Sequence, residues 1–503
     1  MPGKKKSEVI ARSGISRRSV LLAATGSALA AATTPQLAQT AEPAEAMDPD
    51  ILDVIIVGAG LAGLTAARDL SRAGCDSFAV LEGNDRVGGR TYNHKLKNGR
   101  YSEAGGQWIG PGQTAIYDLC RELNIGVHEN YLKGKSVYMA RDGSLYEEDA
   151  NGGFSWSPEM RKIIDELNEL SLDVPSAAPW TAPRAEELDR ISVAEYLADK
   201  DLNAMDTLSF DLGLRLTDTT HHQNVSLLYA LSRINYAGTY EKLEGFTGGA
   251  QEHRIENGSQ YISEAMAAHL GDKVHLSTPV RKITAWDQPV VRIHTDRGEF
   301  SARQVIFAMS PGMCDQLNFE PALPEKRREL QRLWPTYAPG RKTAHVYSKP
   351  FWRERGYNGW FFTIGGQVMW AYDNSPHDAA IGVINAFIYP SMPSDPEVLG
   401  PMLAKMYAKA FGDEALDPLE FHDQDWGEEP FCMGCVSPHP KGFLTSGLME
   451  TLRAPIGNIV WSGTETAEIW QTYMDGAVRS GHRAALEALN ALSRVNRQGG
   501  QQV

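Results

Sequence analysis

The chain has 503 residues, of which 42% are hydrophobic and 22% charged, so it can bury a large core and is expected to fold as two or more domains. Its formal net charge of −14 argues against nucleic acid or an anionic membrane surface as the main partner, because both attract basic proteins. The same charge gives a weak preference for cationic substrates.

Residues 1–46 predict an export leader. Three lysines and the pair Arg17-Arg18 precede a short apolar run rich in alanine, and an A-x-A site follows at residues 44–46. This pattern fits a twin-arginine signal better than a membrane span, the alternative being a disordered basic leader. We therefore expect folding in the cytoplasm and export to the periplasm by twin-arginine machinery. Residues 496–503 are polar and predict a flexible tail with no membrane anchor.

A strand-turn-helix pattern opens the next segment, ILDVIIVGAGLAGLTAARDLSRAG. The apolar run from Asp53 to Val57 predicts a buried strand, and Gly58, Gly60 and Gly63 form the motif G-x-G-x-x-G. These glycines permit a tight turn, close approach to a pyrophosphate and close packing of helix on strand, and the helix N-terminus supplies N–H groups to phosphate.

A second apolar run, Phe78 to Leu81, predicts the neighbouring strand and ends in Glu82. An acid at this distance accepts hydrogen bonds from the ribose of an adenosine. Together with the glycine motif, it predicts a dinucleotide site.

Two further glycine-rich loops follow, GNDRVGGRTY and GRYSEAGGQWIGP, and a nicotinamide enzyme needs neither. With them the sequence resembles the flavin-dependent amine oxidases of the monoamine oxidase family, in which E-x-x-x-R-x-G-G-R and G-G-x-W/Y-x-G hold FAD. Segments 176–189, 248–280, 342–352 and 461–485 are also similar to that family.

The resemblance implies an α/β fold in which a Rossmann-like FAD-binding domain is interleaved with an α+β substrate-binding domain. The motif positions predict an FAD-binding domain built from residues 51–127, 246–325 and 426–495, and a substrate-binding domain built from 128–245 and 326–425. The predicted FAD-binding residues are Gly58, Gly60, Gly63, Glu82, Arg90, Gly105, Gly106, Gln107, Trp108, Val280, Cys435, Glu465 and Met474.

Two of the five cysteines, Cys432 and Cys435, form a C-x-x-C pair. We expect no metal site, because zinc needs further ligands at short spacing, and no thioredoxin-like dithiol, because the flanking EEPF and VSPHP are typical of strand and loop. The resemblance places Cys435 where animal monoamine oxidases join FAD through a thioether, and Cys432 matches no family site. Two alternatives stay open: a buried cysteine acting as a small hydrophobe, and a Cys432–Cys435 disulfide, which excludes the thioether.

The resemblance also implies the catalytic residues. Lys342 corresponds to a lysine that holds a water against the flavin N5 and favours the reduction of O2. Tyr473 corresponds to one of two tyrosines that flank the substrate nitrogen. The second tyrosine is replaced by Val436, so another aromatic side chain, Trp470 or Trp426, is expected to compensate.

The C-terminal segment predicts a buried strand, Asn458 to Trp461, then a glycine loop and a helix that starts near Met474. A helix N-terminus aimed at the flavin stabilises the negative charge that develops there on reduction. The resemblance places the Met474 backbone at this point.

The predicted function is FAD-dependent oxidation of a small amine to an imine, with O2 reduced to H2O2. The substrate stays open among an arylalkylamine, a polyamine and an alkaloid-derived amine. One alternative is an amine dehydrogenase that passes electrons to a cytochrome or quinone, and another is a flavin-binding sensor without turnover. Relatives are often dimers, so a homodimer is one option for the assembly.

Overall fold

A computed structural model describes residues 51–149, 156–203, 206–211, 213, 222–335, 340–364, 366 and 368–499, and side chains as far as residue 494. These residues belong to one compact unit, and the predicted leader, residues 1–46, lies outside them. None of the described helices is both long enough and apolar enough to cross a membrane.

Runs of strands are separated by single helices or groups of helices along the described chain. The strands are β1 (Ile51–Val57), β2 (Phe78–Leu81), β3 (Asn93–Lys95), β4 (Tyr101–Glu103), β5 (Trp108–Ile109), β6 (Val127–Glu129), β7 (Lys135–Met139), β8 (Leu145–Glu148), β9 (His253–Ile255), β10 (Val274–His275), β11 (Val280–Thr284), β12 (Val291–Thr295), β13 (Gly298–Ala308), β14 (Asn318–Glu320), β15 (Arg341–Tyr347), β16 (Tyr357–Thr363), β17 (Val368–Asp373), β18 (Gly382–Ile388), β19 (Glu420–Asp425) and β20 (Ile459–Ser462). The α-helices are α1 (Leu61–Arg72), α2 (Thr114–Glu122), α3 (Pro158–Ser171), α4 (Ala185–Arg190), α5 (Val193–Ala198), α6 (Leu227–Ala237), α7 (Tyr240–Glu244), α8 (Gln260–Leu270), α9 (Pro311–Cys314), α10 (Glu325–Leu333), α11 (Phe351–Glu354), α12 (Pro396–Phe411) and α13 (Met474–Gly499).

The first sheet has the order β10-β2-β1-β13-β12-β11-β14, and β20 also pairs with β13. Strands β2, β1, β13 and β20 run parallel to one another, so their carboxyl ends meet at the same edge. In open sheets of this kind ligands bind at that edge. The α/β fold with a Rossmann-like sheet is therefore confirmed.

The centre of this sheet is apolar on both faces, as expected for a parallel sheet covered on both sides. Val54, Ile55 and Ile56 in β1 are fully buried. Val54 and Ile56 pack in the cluster that includes α1 and α13, whereas Ile55 packs on the opposite face with Trp461.

Two glycines fix the turn between β1 and α1. Gly58 has φ +103°, a left-handed conformation that disfavours other residues, and a Cβ there would lie 2.8 Å from the Ala308 carbonyl oxygen. A Cβ on Gly63 would lie 1.9 Å from the Gly58 carbonyl oxygen. The predicted role of Gly63 in close helix–strand packing agrees with this distance.

The second sheet has the order β19-β15-β18-β17-β16-β7-β8 and is mostly antiparallel. Its apolar runs GWFFT, VMWAY and GVINAFI form β16, β17 and β18, as their patterning predicts. Helix α12 packs on one face through Leu399, Leu403 and Tyr407. A third cluster of buried side chains joins α3, α4, α5 and α6.

The structure corrects several predicted boundaries. Strand β1 begins at Ile51, and the C-terminal strand is Ile459–Ser462. Residues 428–431, predicted as strand, lie in a turn after β19, because the Glu429 carbonyl accepts hydrogen bonds from the Cys432 and Met433 amides and no strand pairing includes these residues. The predicted flexible tail is helical as far as Gly499, since it continues the amphipathic helix α13.

Candidate active site

A cavity of about 510 Å³ has a glycine-lined end at the carboxyl edge of the first sheet and an aromatic end beside β16 and β17. The predicted site residues line this cavity, with two exceptions, Gly63 and Glu465. Gly63 packs behind the turn, against the Gly58 carbonyl. The structure thus brings together residues that are more than 400 positions apart in the sequence.

The glycine-lined end fits a dinucleotide. Glu82 accepts hydrogen bonds from the Ala59 amide (2.7 Å) and the Asn84 amide (2.9 Å), which hold its carboxylate at the end of β2. Burial raises the pKa of Glu82, and these amides oppose that effect. A Cβ on Gly60 or Gly106 would meet no protein atom closer than 3.8 Å or 4.0 Å, so both glycines leave room on the cavity side.

Arg90 and Glu465 form an ion pair beside this end. The Arg90 Nη1 lies 2.7 Å from Glu465 Oε1 and donates a hydrogen bond to the Cys435 carbonyl (3.0 Å). Arg90 lines the cavity, whereas the buried Glu465 does not. Glu465 therefore lies behind Arg90 and can hold that guanidinium in place, a role that the sequence pattern did not distinguish from direct contact with FAD.

Helix α13 begins at the cavity wall. Met474 is its first residue and lines the cavity, and Val280 lines it from β11. Asp475 accepts a hydrogen bond from the Ile116 amide (3.0 Å), which ties the helix start to α2. The positive end of a helix dipole thus lies beside the site, as predicted.

Lys342, the second residue of β15, is buried where the two ends of the cavity meet. Its ammonium donates to the Gly105 carbonyl (3.0 Å) and to Gln107 Oε1. The rings of Trp108, Tyr372 and Phe387 have centroids 5.4–5.7 Å from Nζ. Burial lowers the pKa of Lys342 from 10.5 to about 7, so the amine and the ammonium are both populated near neutrality.

Gln107 continues into a buried polar network that the sequence did not reveal. Its Nε2 donates to Asn374 Oδ1 (2.8 Å), and Asn374 Nδ2 donates to Glu103 Oε2 (3.0 Å). Arg254 pairs with the same Glu103 oxygen at 2.6 Å. Glu103 lies in the segment GRYSEAGG. Its position directly before the glycine-rich loop is the sequence feature that could have indicated a role near the site.

The other end of the cavity is an aromatic wall. Its side chains contact one another in edge-to-face and stacked pairs, such as Trp360–Trp370 (5.1 Å) and Trp108–Trp370 (5.4 Å between ring centroids). Such a wall excludes water and favours the neutral form of an amine. The aromatic wall consists of Trp108, Phe246, Trp360, Phe362, Trp370 and Phe387.

Tyr473 lines the cavity between the two ends. Its hydroxyl accepts a hydrogen bond from Arg233 Nη2 (3.2 Å), a buried residue of α6 that the sequence did not indicate. Val436 and Trp426 also line the cavity, whereas Trp470 packs beside Tyr473 with its ring centroid 5.1 Å away. Of the two predicted substitutes for the second tyrosine, Trp426 is the one on the cavity wall.

Cys432 and Cys435 both line the cavity, and all five cysteines are free thiols in the structure. Burial raises the pKa of each of the two to about 12, and the Arg90 guanidinium opposes this effect. The loop between them places Met433 at φ +52° and Gly434 at φ +140°. Cys435 is therefore adjacent to the space for a flavin, as the thioether prediction requires.

Comparisons with known proteins agree with this geometry. A profile of the family "flavin containing amine oxidoreductase" matches residues 61–489. The Mycobacterium tuberculosis protein AofH, named as a flavin-containing monoamine oxidase, is 36% identical over 448 residues, which cover 87% of this chain and 97% of that protein. Flavin-containing amine oxidase B of Mus musculus is 33% identical over 467 residues, which cover 88% and 87% of the two chains.

Two solved structures give the same result. Cyclohexylamine oxidase from Brevibacterium oxydans IH-35A has a TM-score of 0.79 and 30% identity, covering 88% of this chain and 100% of that chain. Putrescine oxidase with bound putrescine has a TM-score of 0.78 and 30% identity, covering 87% and 99%. The chain therefore belongs to the family of flavin-containing amine oxidoreductases and is an FAD-dependent amine oxidase.

Proposed function

We propose that the enzyme oxidises the C–N bond of a small amine to an imine, that water hydrolyses the imine to an aldehyde or ketone, and that O2 is reduced to H2O2. The observation that carries this proposal is the position of Lys342. It is buried between the Gly105 carbonyl and the aromatic rings, at the junction of a dinucleotide cradle and an apolar pocket. A cation held there stabilises negative charge that develops as O2 takes up an electron.

The residues of the cradle divide into groups by role. Glu82 would hold the ribose, and the open side of Gly60, after the turn that Gly58 permits, would leave space for the pyrophosphate. Arg90 is held at the wall by Glu465. When bound, FAD accepts the hydride equivalents removed from the substrate carbon. The start of α13 at Met474 stabilises negative charge at the adjacent end of the cavity.

The aromatic wall favours an amine with an apolar body, such as an arylalkylamine or an alkaloid-derived amine. Six aromatic side chains surround the space in which that body would lie. A polyamine is the second candidate, because Glu244 also contributes a carboxylate to the cavity lining, and a second ammonium would be attracted to it. Of the two relatives with solved structures, one is named for a cyclic amine and the other for a diamine.

We also propose the division into domains given by the motifs, with residues 51–127, 246–325 and 426–495 forming the FAD-binding part. Its support is that the first sheet draws its strands from those three segments. The second sheet takes its strands from 135–148 and 341–425 and carries most of the aromatic wall. Export by the twin-arginine machinery to the periplasm is a proposal that rests on residues 1–46 alone.

Anaerobic mixing of the yellow enzyme with single amines tests the function. The panel contains primary, secondary and tertiary arylalkylamines together with putrescine and a longer polyamine. We expect one class to bleach the flavin absorbance, and subsequent addition of air to restore it with formation of one H2O2 per amine consumed. If dithionite bleaches the flavin and no amine does, the proposal is wrong. If an amine bleaches it but air restores it only when a cytochrome or quinone is added, the enzyme is a dehydrogenase.

Cys435 is predicted to carry FAD through a thioether. In acid-precipitated enzyme we expect the yellow colour in the pellet, and we expect Cys435→Ala to release it to the supernatant while Cys432→Ala does not. The matched cysteine lies in the same loop and has a similarly buried thiol, so it controls for general effects on the loop. A colourless wild-type pellet contradicts the prediction.

A further inference from the structure

In the buried network between Lys342 and Glu103, the hydrogen bonds share one direction: each residue donates to the next one toward Glu103. Lys342 donates to Gln107 Oε1, Gln107 Nε2 donates to Asn374 Oδ1, and Asn374 Nδ2 donates to Glu103 Oε2. Lys342, Gln107, Asn374 and Glu103 are 3%, 1%, 1% and 0% exposed, so water does not replace these contacts. Each amide thus has its oxygen on the side of Lys342 and its nitrogen on the side of Glu103.

This direction follows from the chemistry of Glu103. An ionised carboxylate accepts hydrogen bonds and donates none, so Asn374 must present its NH2 group to it. The Asn374 oxygen then faces Gln107, which must present its own NH2 group in turn. The Gln107 oxygen is left to accept from Lys342 and from the Tyr372 hydroxyl (2.8 Å).

Further contacts oppose rotation of the Asn374 amide. Its Nδ2 also donates to Ser102 Oγ (3.3 Å), and Arg254 Nη2 donates to the main-chain carbonyl of Asn374 (3.1 Å), which holds the backbone from which this side chain extends. If either amide rotated, an NH2 group would face another donor, and two buried hydrogen bonds would be lost. The orientation is therefore fixed by the buried charge pair Glu103–Arg254.

We propose that Glu103 is a positioning residue, which acts through Asn374 and Gln107 to orient the Lys342 nitrogen toward the cavity. Two acceptors, the Gly105 carbonyl and Gln107 Oε1, take up two N–H groups of Lys342. In the neutral amine the lone pair is then left for the cavity, and in the ammonium the third N–H is left for it. This inference rests on the proposed function only in that Lys342 serves the reaction.

The charges around Lys342 determine in which direction its pKa changes when the charge of Glu103 is removed. Burial lowers its pKa to about 7, Glu103 and Cys435 oppose that effect, and Arg254 adds to it. His94 and the Tyr372 hydroxyl are the other titratable groups near the Lys342 ammonium. Loss of the Glu103 charge removes a favourable interaction with the ammonium, so the pKa of Lys342 falls further.

The test is a pH titration of the visible flavin spectrum in the holoenzyme without substrate. In the wild type we expect a transition near pH 7, absent in Lys342→Met, because a charge gained beside the flavin alters its absorbance. In Glu103→Gln we expect the midpoint to move by about one unit toward acid. Because no amine is added, this readout is independent of whether the proposed substrate chemistry is correct.

Two further variants separate positioning from general disturbance. Asn374→Leu leaves the Glu103–Arg254 pair and its charges in place but interrupts the relay, so a shift of its midpoint in the same direction reports positioning and not the direct attraction of the Glu103 charge. Ser136→Ala removes a buried hydroxyl that accepts a hydrogen bond from Asn358 in the second sheet and leaves the relay intact, so its midpoint stays at the wild-type value. If Glu103→Gln fails to fold, Asn374→Leu and Ser136→Ala decide the question.

The outcomes are distinct. A midpoint unchanged by Asn374→Leu in flavin-loaded protein overturns the proposal, even if Glu103→Gln shifts it, because the Glu103 charge then acts without the relay. So does a transition that persists in Lys342→Met, because the titrating group is then another residue.

Discussion

Replacing Lys342 with methionine is expected to slow the consumption of O2 by the substrate-reduced enzyme by about 100-fold or more. Lys342 is buried beside the aromatic wall, where the charge of its ammonium is poorly screened by solvent. Methionine has similar length and no charge, so the cavity keeps its shape. Stopped-flow mixing of anaerobically reduced enzyme with oxygenated buffer measures this rate directly.

The matched control is Lys349→Met. Lys349 follows the same strand β15, is exposed and pairs with Glu354 on the surface. We expect this variant to react with O2 at the wild-type rate. Equal rates for all three proteins contradict the role proposed for Lys342, and a loss of bound FAD in Lys342→Met identifies a structural role instead.

Replacing Arg254 with methionine is expected to cost about 3 to 5 kcal/mol of stability, because it leaves the carboxylate of Glu103 buried and unpaired. The same substitution removes the donors to the Asn374 and Ser375 carbonyls. Denaturant unfolding at a fixed, saturating concentration of FAD measures the effect, since free cofactor itself shifts apparent stability.

Arg281→Met is the control for loss of an arginine–carboxylate pair. Arg281 and Asp296 are 57% and 53% exposed and form a bidentate contact at the surface. Such pairs contribute little, so we expect nearly unchanged unfolding. A similar loss of stability in both variants would mean that burial of Glu103 is not the cause.

Local patterns predicted the parts of the site that depend on near neighbours in sequence. The turn at Gly58 and Gly63 follows from backbone constraints within six residues, and β2 ends at Glu82 as its apolar run indicates. Lys342 is predicted as a catalytic residue because segment 342–352 resembles a segment of the family. The structure agrees, since the apolar strand around this lysine is buried on both sides.

The buried network was not predictable in this way. Glu103 pairs with Arg254, 151 positions later, and Asn374 meets Glu103 across 271 positions. A lone glutamate or asparagine carries no periodic signal, so only the tertiary fold reveals these pairs. The role of Glu465 was not predictable for the same reason. Its motif indicates a residue of the FAD site but does not show whether the side chain contacts the cofactor or supports Arg90.

The interleaving of segments has a consequence for biosynthesis. Strand β1 pairs with residues about 250 positions later, and β20 and α13, which complete the sheet edge and the cavity wall, come from the last 45 residues. A growing chain therefore cannot enclose its flavin until β20 and the start of α13 have been translated. Such long-range pairing makes folding slow, and the exposed edge of β13 must wait for β20. Chains truncated before residue 459 are thus expected to need chaperones and to remain colourless.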